Sequence, residues 1–378
     1  MHLFHSLFDN KTLDYDTSEY DFSGLILQQV QNHYPEVTQL DTIHEYMDTS
    51  KLFSLGHTVN RELYSTNFYQ MFDEVVSNYV SDTGIDILIQ RFPSIRFLPP
   101  NQDKSGRVLQ FHQGRWVGNG LGLYTVWMPF TECFDSNSMQ ILDLDISREI
   151  TRDAIRDNWD YETLENICKK YMWPINLKPG QAHLFTQEHL HGNIPNRTNK
   201  TRVSIDCRIL VRDGQFHRKW PGSYFRPLNR ILSKKPEFNE SSENIVTYAE
   251  YEGSKTHNLD LHYQTLLVKD YCRRAGITFP YQHGENEGFN RLNNLENLVK
   301  DTTIDHILMM SIYSLTDNPE HRVDIMRKAI SNNIKLHFCN EDMILENEQD
   351  LEDVEYLRNF TTDTSDPVVQ LQKELNLL

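Results

Sequence analysis

Phe111-His112-Gln113-Gly114 and His191-Gly192-Asn193-Ile194-Pro195-Asn196, with Thr201-Arg202-Val203-Ser204 close behind, decide how this chain is read. The two histidines stand 79 positions apart (191 − 112), and Arg202 follows the second by 11 (202 − 191). Two histidines followed by an arginine on an apolar strand suit an Fe(II) centre that also binds a 2-oxo acid. Imidazoles are good iron ligands, and a guanidinium pairs with the far carboxylate of the co-substrate. An arginine buried in such a strand without that partner would be costly. His189, two residues before His191, leaves the second ligand open between the two. One part is missing. The usual third ligand is a carboxylate two residues after the first histidine, and Gly114 stands there.

Outward from these motifs, the pattern predicts two domains. Residues 1 to about 100 read as mostly helical, with Leu63, Phe68, Met71, Phe72, Val75, Val76 and Tyr79 at helical spacing between Asn60 and Val80. Short extended pieces follow at 85–91, 95–100, 107–112, 123–130, 139–144, 182–187 and 202–211. Glycine, proline and asparagine turns separate them, and a charged helical insertion spans 147–171. This predicts a double-stranded β-helix (a cupin-like jelly roll), with its core at about 85–211, inside a domain 1–211. Residues 212–244 read as a basic linker. From 245 to 345 strands and helices alternate, which predicts a small α/β domain with a parallel, flavodoxin-like or resolvase-like sheet. Residues 346–378 read as an acidic tail.

Composition narrows the functional classes. The 378 residues carry 54 acidic against 37 basic side chains, a net charge of −17. A general nucleic-acid binder needs a basic face, so that class is set aside. Seven basic residues (Arg212, Arg218, Lys219, Arg226, Arg230, Lys234, Lys235) against Asp213 nevertheless make 212–235 locally cationic. That segment suits either a solvated face or a phosphorylated substrate. No apolar run is long enough to span a membrane, and the N-terminus lacks a secretory pattern. The five cysteines form no CxxC pair, as expected of reduced thiols in a cytoplasmic protein.

Phe111 to Ile209 resembles the Fe(II)/2-oxoglutarate-dependent dioxygenase superfamily, in particular its phytanoyl-CoA dioxygenase-like branch. The resemblance rests on His112, the strand Thr125-Val126-Trp127-Met128-Pro129, and His191, Gly192 and Asn196 ahead of Thr201-Arg202. More narrowly, the first 210 residues resemble the oxygenases of sporadic carbohydrate clusters. Residues 245–345 resemble a second family of those clusters through Tyr271-Cys272, Glu287-Gly288-Phe289, Tyr313-Ser314-Leu315, His321-Arg322 and Leu336-His337-Phe338 with Glu341. The resemblance implies Fe(II), 2-oxoglutarate and O2 as cofactors. It makes His112 and His191 the metal ligands and Arg202 the co-substrate's anchor, with Thr125, Trp127 and Asn196 around the pocket. The implied substrate is a small molecule, a sugar or activated sugar, with neither nucleic acid nor membrane as partner. The implied reaction is C–H hydroxylation or halogenation.

Gly114 admits three explanations. Water or another carboxylate (Glu132, Asp135 or Glu188) completes the coordination; a halide takes the space, as in superfamily halogenases with Gly or Ala here; or the domain only binds. In the second domain, Glu250, Glu252, Glu287, Arg322 and Glu341 fall near expected strand ends, where open α/β sheets place ligands. The strand order faintly resembles serine recombinases, but Tyr248-Ala249-Glu250 puts glutamate where their arginine belongs, and DNA cleavage is rejected.

Overall fold

In a computed structural model the described residues are 9–100, 110–228, 236–239, 241–249, 259–285, 292–360, 363 and 365–374. The chain forms two compact units, Met1–Trp220 with Thr361–Leu378, and Pro221–Phe360. The boundary lies within the expected linker, because Gln215 and Phe216 are buried in the first unit. The expected acidic tail is no tail. Glu348–Arg358 is a helix with Leu351, Val354 and Leu357 buried, and residues beyond 360 return to the first unit.

The first unit is built on β1 (Lys11–Asp14), β2 (Ile87–Gln90), β3 (Ser94–Leu98), β4 (Leu123–Pro129), β5 (Gln140–Ile141), β6 (Trp173–Pro174), β7 (Gln181–Thr186), β8 (His191–Gly192) and β9 (Arg202–Val211). Its larger sheet runs β1-β7-β4-β9-β2, with β3 also paired to β9. The smaller sheet runs β6-β5-β8. These pairings are antiparallel. Trp127 and Phe185 of the larger sheet pack with Met139, Ile141 and Ile175 at the smaller, so the two sheets face one another across an apolar layer. This is the layered architecture that a jelly roll requires.

Side-chain alternation along β9 divides its two faces. Val203, Ile205, Cys207 and Ile209 are all fully buried, while Arg202, Ser204, Asp206 and Arg208 share the opposite face. Register places Thr125 opposite Arg208 and Trp127 opposite Asp206. The helical N-terminal part holds Phe22, Phe68, Phe72 and Phe130 in a ring-to-ring cluster. The single helix expected from Asn60 to Val80 is two, Thr49–Leu63 and Phe68–Val80. Thr66 makes the break: its hydroxyl donates to Leu63 O at 2.8 Å and accepts from Phe68 N at 3.2 Å. The insertion is a helix pair, Leu144–Arg156 and Tyr161–Tyr171, that packs Ile150, Leu164 and Cys168 against Phe111, Leu142 and Leu190. Residues 107–109 of the expected strand lie outside the described residues.

In the second unit, Gln282–Gly284, Ile245–Ala249, His306–Met309 and Lys335–Phe338 form a parallel sheet in that order, with Met343–Leu345 antiparallel at the end. The candidate charges within it serve the fold. Arg322 forms a two-point pair with Glu355 at 2.5 and 2.8 Å, and Glu341 accepts from Ser311 Oγ at 2.6 Å and Ile312 N at 3.1 Å. Glu250, Glu252 and Glu287 lie outside the described residues. A polar chain crosses the core that the sequence pattern does not announce. His337 bonds the Tyr271 hydroxyl through Nδ1 at 2.9 Å and His306 Nδ1 through Nε2 at 2.8 Å. The other side of His306 faces Glu243 at 3.3 Å.

Burial pushes both histidines below their ordinary range, and His306 pushes His337 down further. Unfolded histidines take up protons below about pH 6.5, and these folded ones do not. Their stabilisation is therefore complete above that pH and is lost as pH falls toward the depressed folded values. The urea midpoint should drop between pH 7.5 and 5.5, with a smaller drop in His337→Gln. A midpoint unmoved by acid would overturn this reading.

Candidate metal centre

His112 and His191 are joined by their backbones. His112 N donates to His191 O at 3.0 Å, and His191 N donates to His112 O at 3.1 Å. This two-bond bridge sets the rings side by side, centroids 4.5 Å apart. The close approach needs Gly192, where an added Cβ would come to 3.0 Å from the Phe111 backbone. Each ring is oriented by a carbonyl: His112 Nδ1 lies 2.8 Å from Gln110 O, and His191 Nδ1 lies 2.9 Å from His189 O. A carbonyl only accepts, so each Nδ1 carries the proton and each Nε2 keeps its lone pair. Phe185 packs edge-on against His191 at 4.9 Å. Desolvation lowers both imidazole pKa values, that of His191 well below the ordinary value, and the Arg208 guanidinium adds to both shifts. The rings are neutral at pH 7, as metal ligation requires. His189 is not an alternative ligand: its ring nitrogens meet Leu142 O and Asp9, each at 2.7 Å.

The place of the absent carboxylate is taken by neutral amides. An added Cβ on Gly114 would lie 1.9 Å from Gln187 Oε1 and 2.9 Å from Asn119 Nδ2. Gln187 Oε1 accepts from Asn119 Nδ2 at 2.7 Å, and Gln187 Nε2 donates to Thr125 Oγ1 at 2.9 Å. The space beside Gly114 that would admit a halide is thus filled by the Gln187 side chain. The substitute carboxylates do not come in either. Glu132 and Asp135 are exposed, and Glu188 is held by Arg148 at 3.1 and 2.9 Å. Among the described residues no group of three His, Cys, Asp or Glu could hold a metal. Among the described residues, the two imidazoles are what a metal would meet.

Arg202 is buried, with Nη1 donating to Asn137 O at 3.1 Å and to Asn193 Oδ1 at 2.8 Å. Its Nε is buried with no hydrogen-bond partner among the described residues. The guanidinium lies 5.8 Å from the centroid of Trp127, and burial pushes its pKa down to about 10. It remains a cation at neutral pH. A buried cation with an orphaned N–H is what a co-substrate carboxylate would complete, so these residues fit iron with a 2-oxo acid. Asn196 does not join the pocket. Its amide donates to Leu98 O at 3.1 Å and Lys200 O at 2.8 Å and accepts from Thr198, which locks the loop ahead of Arg202. A second cationic group went unread in the sequence. Asp206 pairs with Arg96 Nε at 2.8 Å and with Arg208, on the Arg202 face of β9. The alternation Arg202-Ser204-Asp206-Arg208 was the available signal.

No family model matches the chain, and no curated protein matches it. Among solved structures, the non-heme alpha-ketoglutarate-dependent carbocyclase SnoK from nogalamycin biosynthesis shares 11% identity at a TM-score of 0.29. That match covers 38% of this chain, and the chain spans only 57% of SnoK's length. The epimerase SnoN from nogalamycin biosynthesis shares 8% identity over 56% of this chain and 81% of its own, at a TM-score of 0.34. The N-terminal catalytic domain of TP901-1 integrase shares 13% over 35% of this chain and 98% of its own, at 0.25. Likeness at this level assigns no chemistry to this chain.

Gly114→Ala should lower stability by about 1–3 kcal/mol, because its methyl group collides with Gln187 in a filled space. Chemical denaturation checks this; a variant as stable as wild type would show that the amide network yields freely.

Proposed function

We propose that the chain is a non-haem Fe(II), 2-oxoglutarate-dependent oxygenase that acts on a C–H bond of a sugar or activated sugar in cell-surface carbohydrate synthesis. The observation that carries the metal assignment is the bridged pair of neutral imidazoles. Iron, 2-oxoglutarate and dioxygen together supply the oxidising chemistry at the C–H bond. His112 and His191 would hold the metal through Nε2, each ring kept in its tautomer by a backbone carbonyl. Arg202 would bind the distal carboxylate through its unpaired Nε–H. Trp127 would flank that carboxylate, and Phe185 would shield the metal side from water. Thr125, tied to Gln187, would form the wall beside Gly114. The sugar substrate rests on the resemblance of the sequence motifs. The filled space at Gly114 favours hydroxylation over halogenation.

A second reading, a carbohydrate-binding protein without catalysis, is favoured by one observation: no protein carboxylate joins the two histidines among the described residues. Anaerobic addition of Fe(II) and 2-oxoglutarate separates the two. Wild type should develop a weak visible charge-transfer band that His112→Ala and His191→Ala abolish. Arg202→Ala should weaken 2-oxoglutarate binding about tenfold to a hundredfold, the cost of one charge-assisted pair. A wild-type spectrum that stays blank would remove the enzyme reading.

A further inference from the structure

Behind the metal-binding turn lies a cavity of about 180 Å³ that none of the roles above uses. Three side chains lining it are almost wholly buried: Gln113 at 2%, Arg115 at 1% and Thr151 at 1% exposure. Gln113 Oε1, Arg115 Nε and Thr151 Oγ1 each lack a hydrogen-bond partner among the described residues. Orphaned buried polar atoms are rare and call for an occupant. Their chemistry describes it. Gln113 Nε2 donates to Glu188 O at 2.6 Å, which fixes the amide and leaves Oε1 as a pure acceptor. Arg115 Nε can only donate, and Thr151 can do either. The occupant therefore needs both acceptor oxygens and a proton of its own. Arg148 and Arg152 add two cations to the wall. The two carboxylates there are engaged: Glu188 with Arg148 at 2.9 Å, and Glu374 with Arg115 Nη1 at 3.2 Å. Three guanidiniums against two carboxylates leave the wall one positive charge in excess.

We propose that this cavity binds a protonated phosphoryl group, with hydrogen phosphate as its simplest form. Arg115 Nε and Thr151 Oγ1 donate to its oxygens, Arg152 closes on it from the mouth, and its O–H donates to Gln113 Oε1. Gln113 directly follows His112, so occupancy bears on the turn that carries the first imidazole.

The test uses the full chain treated with a chelator, so that no phosphate is read through bound metal. Calorimetry and thermal shift are run with inorganic phosphate, sulfate and glycerol 3-phosphate. Phosphate should bind wild type with one site and raise Tm. Thr151→Val and Arg152→Ala, which leave the packing in place, should each weaken binding about tenfold or more. Sulfate, without a proton at neutral pH, should bind about tenfold more weakly for want of the bond to Gln113. Binding of glycerol 3-phosphate at about pH 6, where roughly half of a monoester keeps its proton, would make a phosphate monoester the ligand; phosphate alone would make it the free ion. His112→Ala should bind phosphate as wild type does, which separates this site from the fate of the iron reading. The proposal is overturned by an absence of binding, by binding that both variants leave unaltered (an adventitious ion only), or by sulfate binding as tightly as phosphate.

Discussion

Two backbone hydrogen bonds between His112 and His191 hold the site together. They join residues distant in sequence, and they do so at a bridge rather than within a long ladder. Everything around the bridge serves to make that meeting permissible. Gly192 lets the chains touch, and Phe185 covers the second ring. The layer of Trp127, Phe185, Met139, Ile141 and Ile175 keeps the two sheets at packing distance. Nothing in the bridge itself is strong, since a hydrogen bond contributes about 1 kcal/mol net. Its position is set by the apolar layers on either side.

Gly114 has a structural cause. The space that a side chain there would need belongs to Gln187, whose amide spans Asn119 and Thr125. The network puts a neutral, hydrogen-bonded amide in a buried place, where an unpaired carboxylate would be expensive.

Much of this was legible in the sequence, and the failures have physical reasons. The strand Arg202–Val211 announces itself by alternation from Arg202 to Ile209, which also carries the pairing of Asp206 with Arg208 and Arg96. The two histidines were legible as motifs that meet, and they do meet; the two-bond bridge that joins their backbones leaves no periodic trace. The Gln187 network was invisible for the same reason: it depends on a contact across 68 positions between Asn119 and Gln187. The helix Glu348–Arg358 reads as tail in the sequence because its acids outnumber the three apolar residues that it buries. A helix needs only a stripe for its core side, whatever the rest of its surface carries. Asn196 looked like a pocket residue by motif. Its side chain is instead consumed by a loop whose backbone polar groups had to be satisfied locally.

Charge explains how such a site can dispense with a carboxylate. A neighbouring acid would raise the imidazole pKa values, and protons would then compete with metal. Here desolvation lowers both rings, Arg208 lowers both further, and Arg96 lowers His112, where Asp206 partly opposes it. The rings stay neutral, but the same cations repel a divalent metal. On the proposed reading, a dianionic co-substrate removes that repulsion and completes Arg202 as well. Metal and 2-oxoglutarate then each bind better in the presence of the other, and by linkage the gain is equal in both directions. A site with a protein carboxylate has less need of this coupling, because it carries its own neutralising charge. On the same proposed reading, with no carboxylate joining the two histidines among the described residues, the neutralising charge comes from the bound co-substrate, and iron affinity follows its supply.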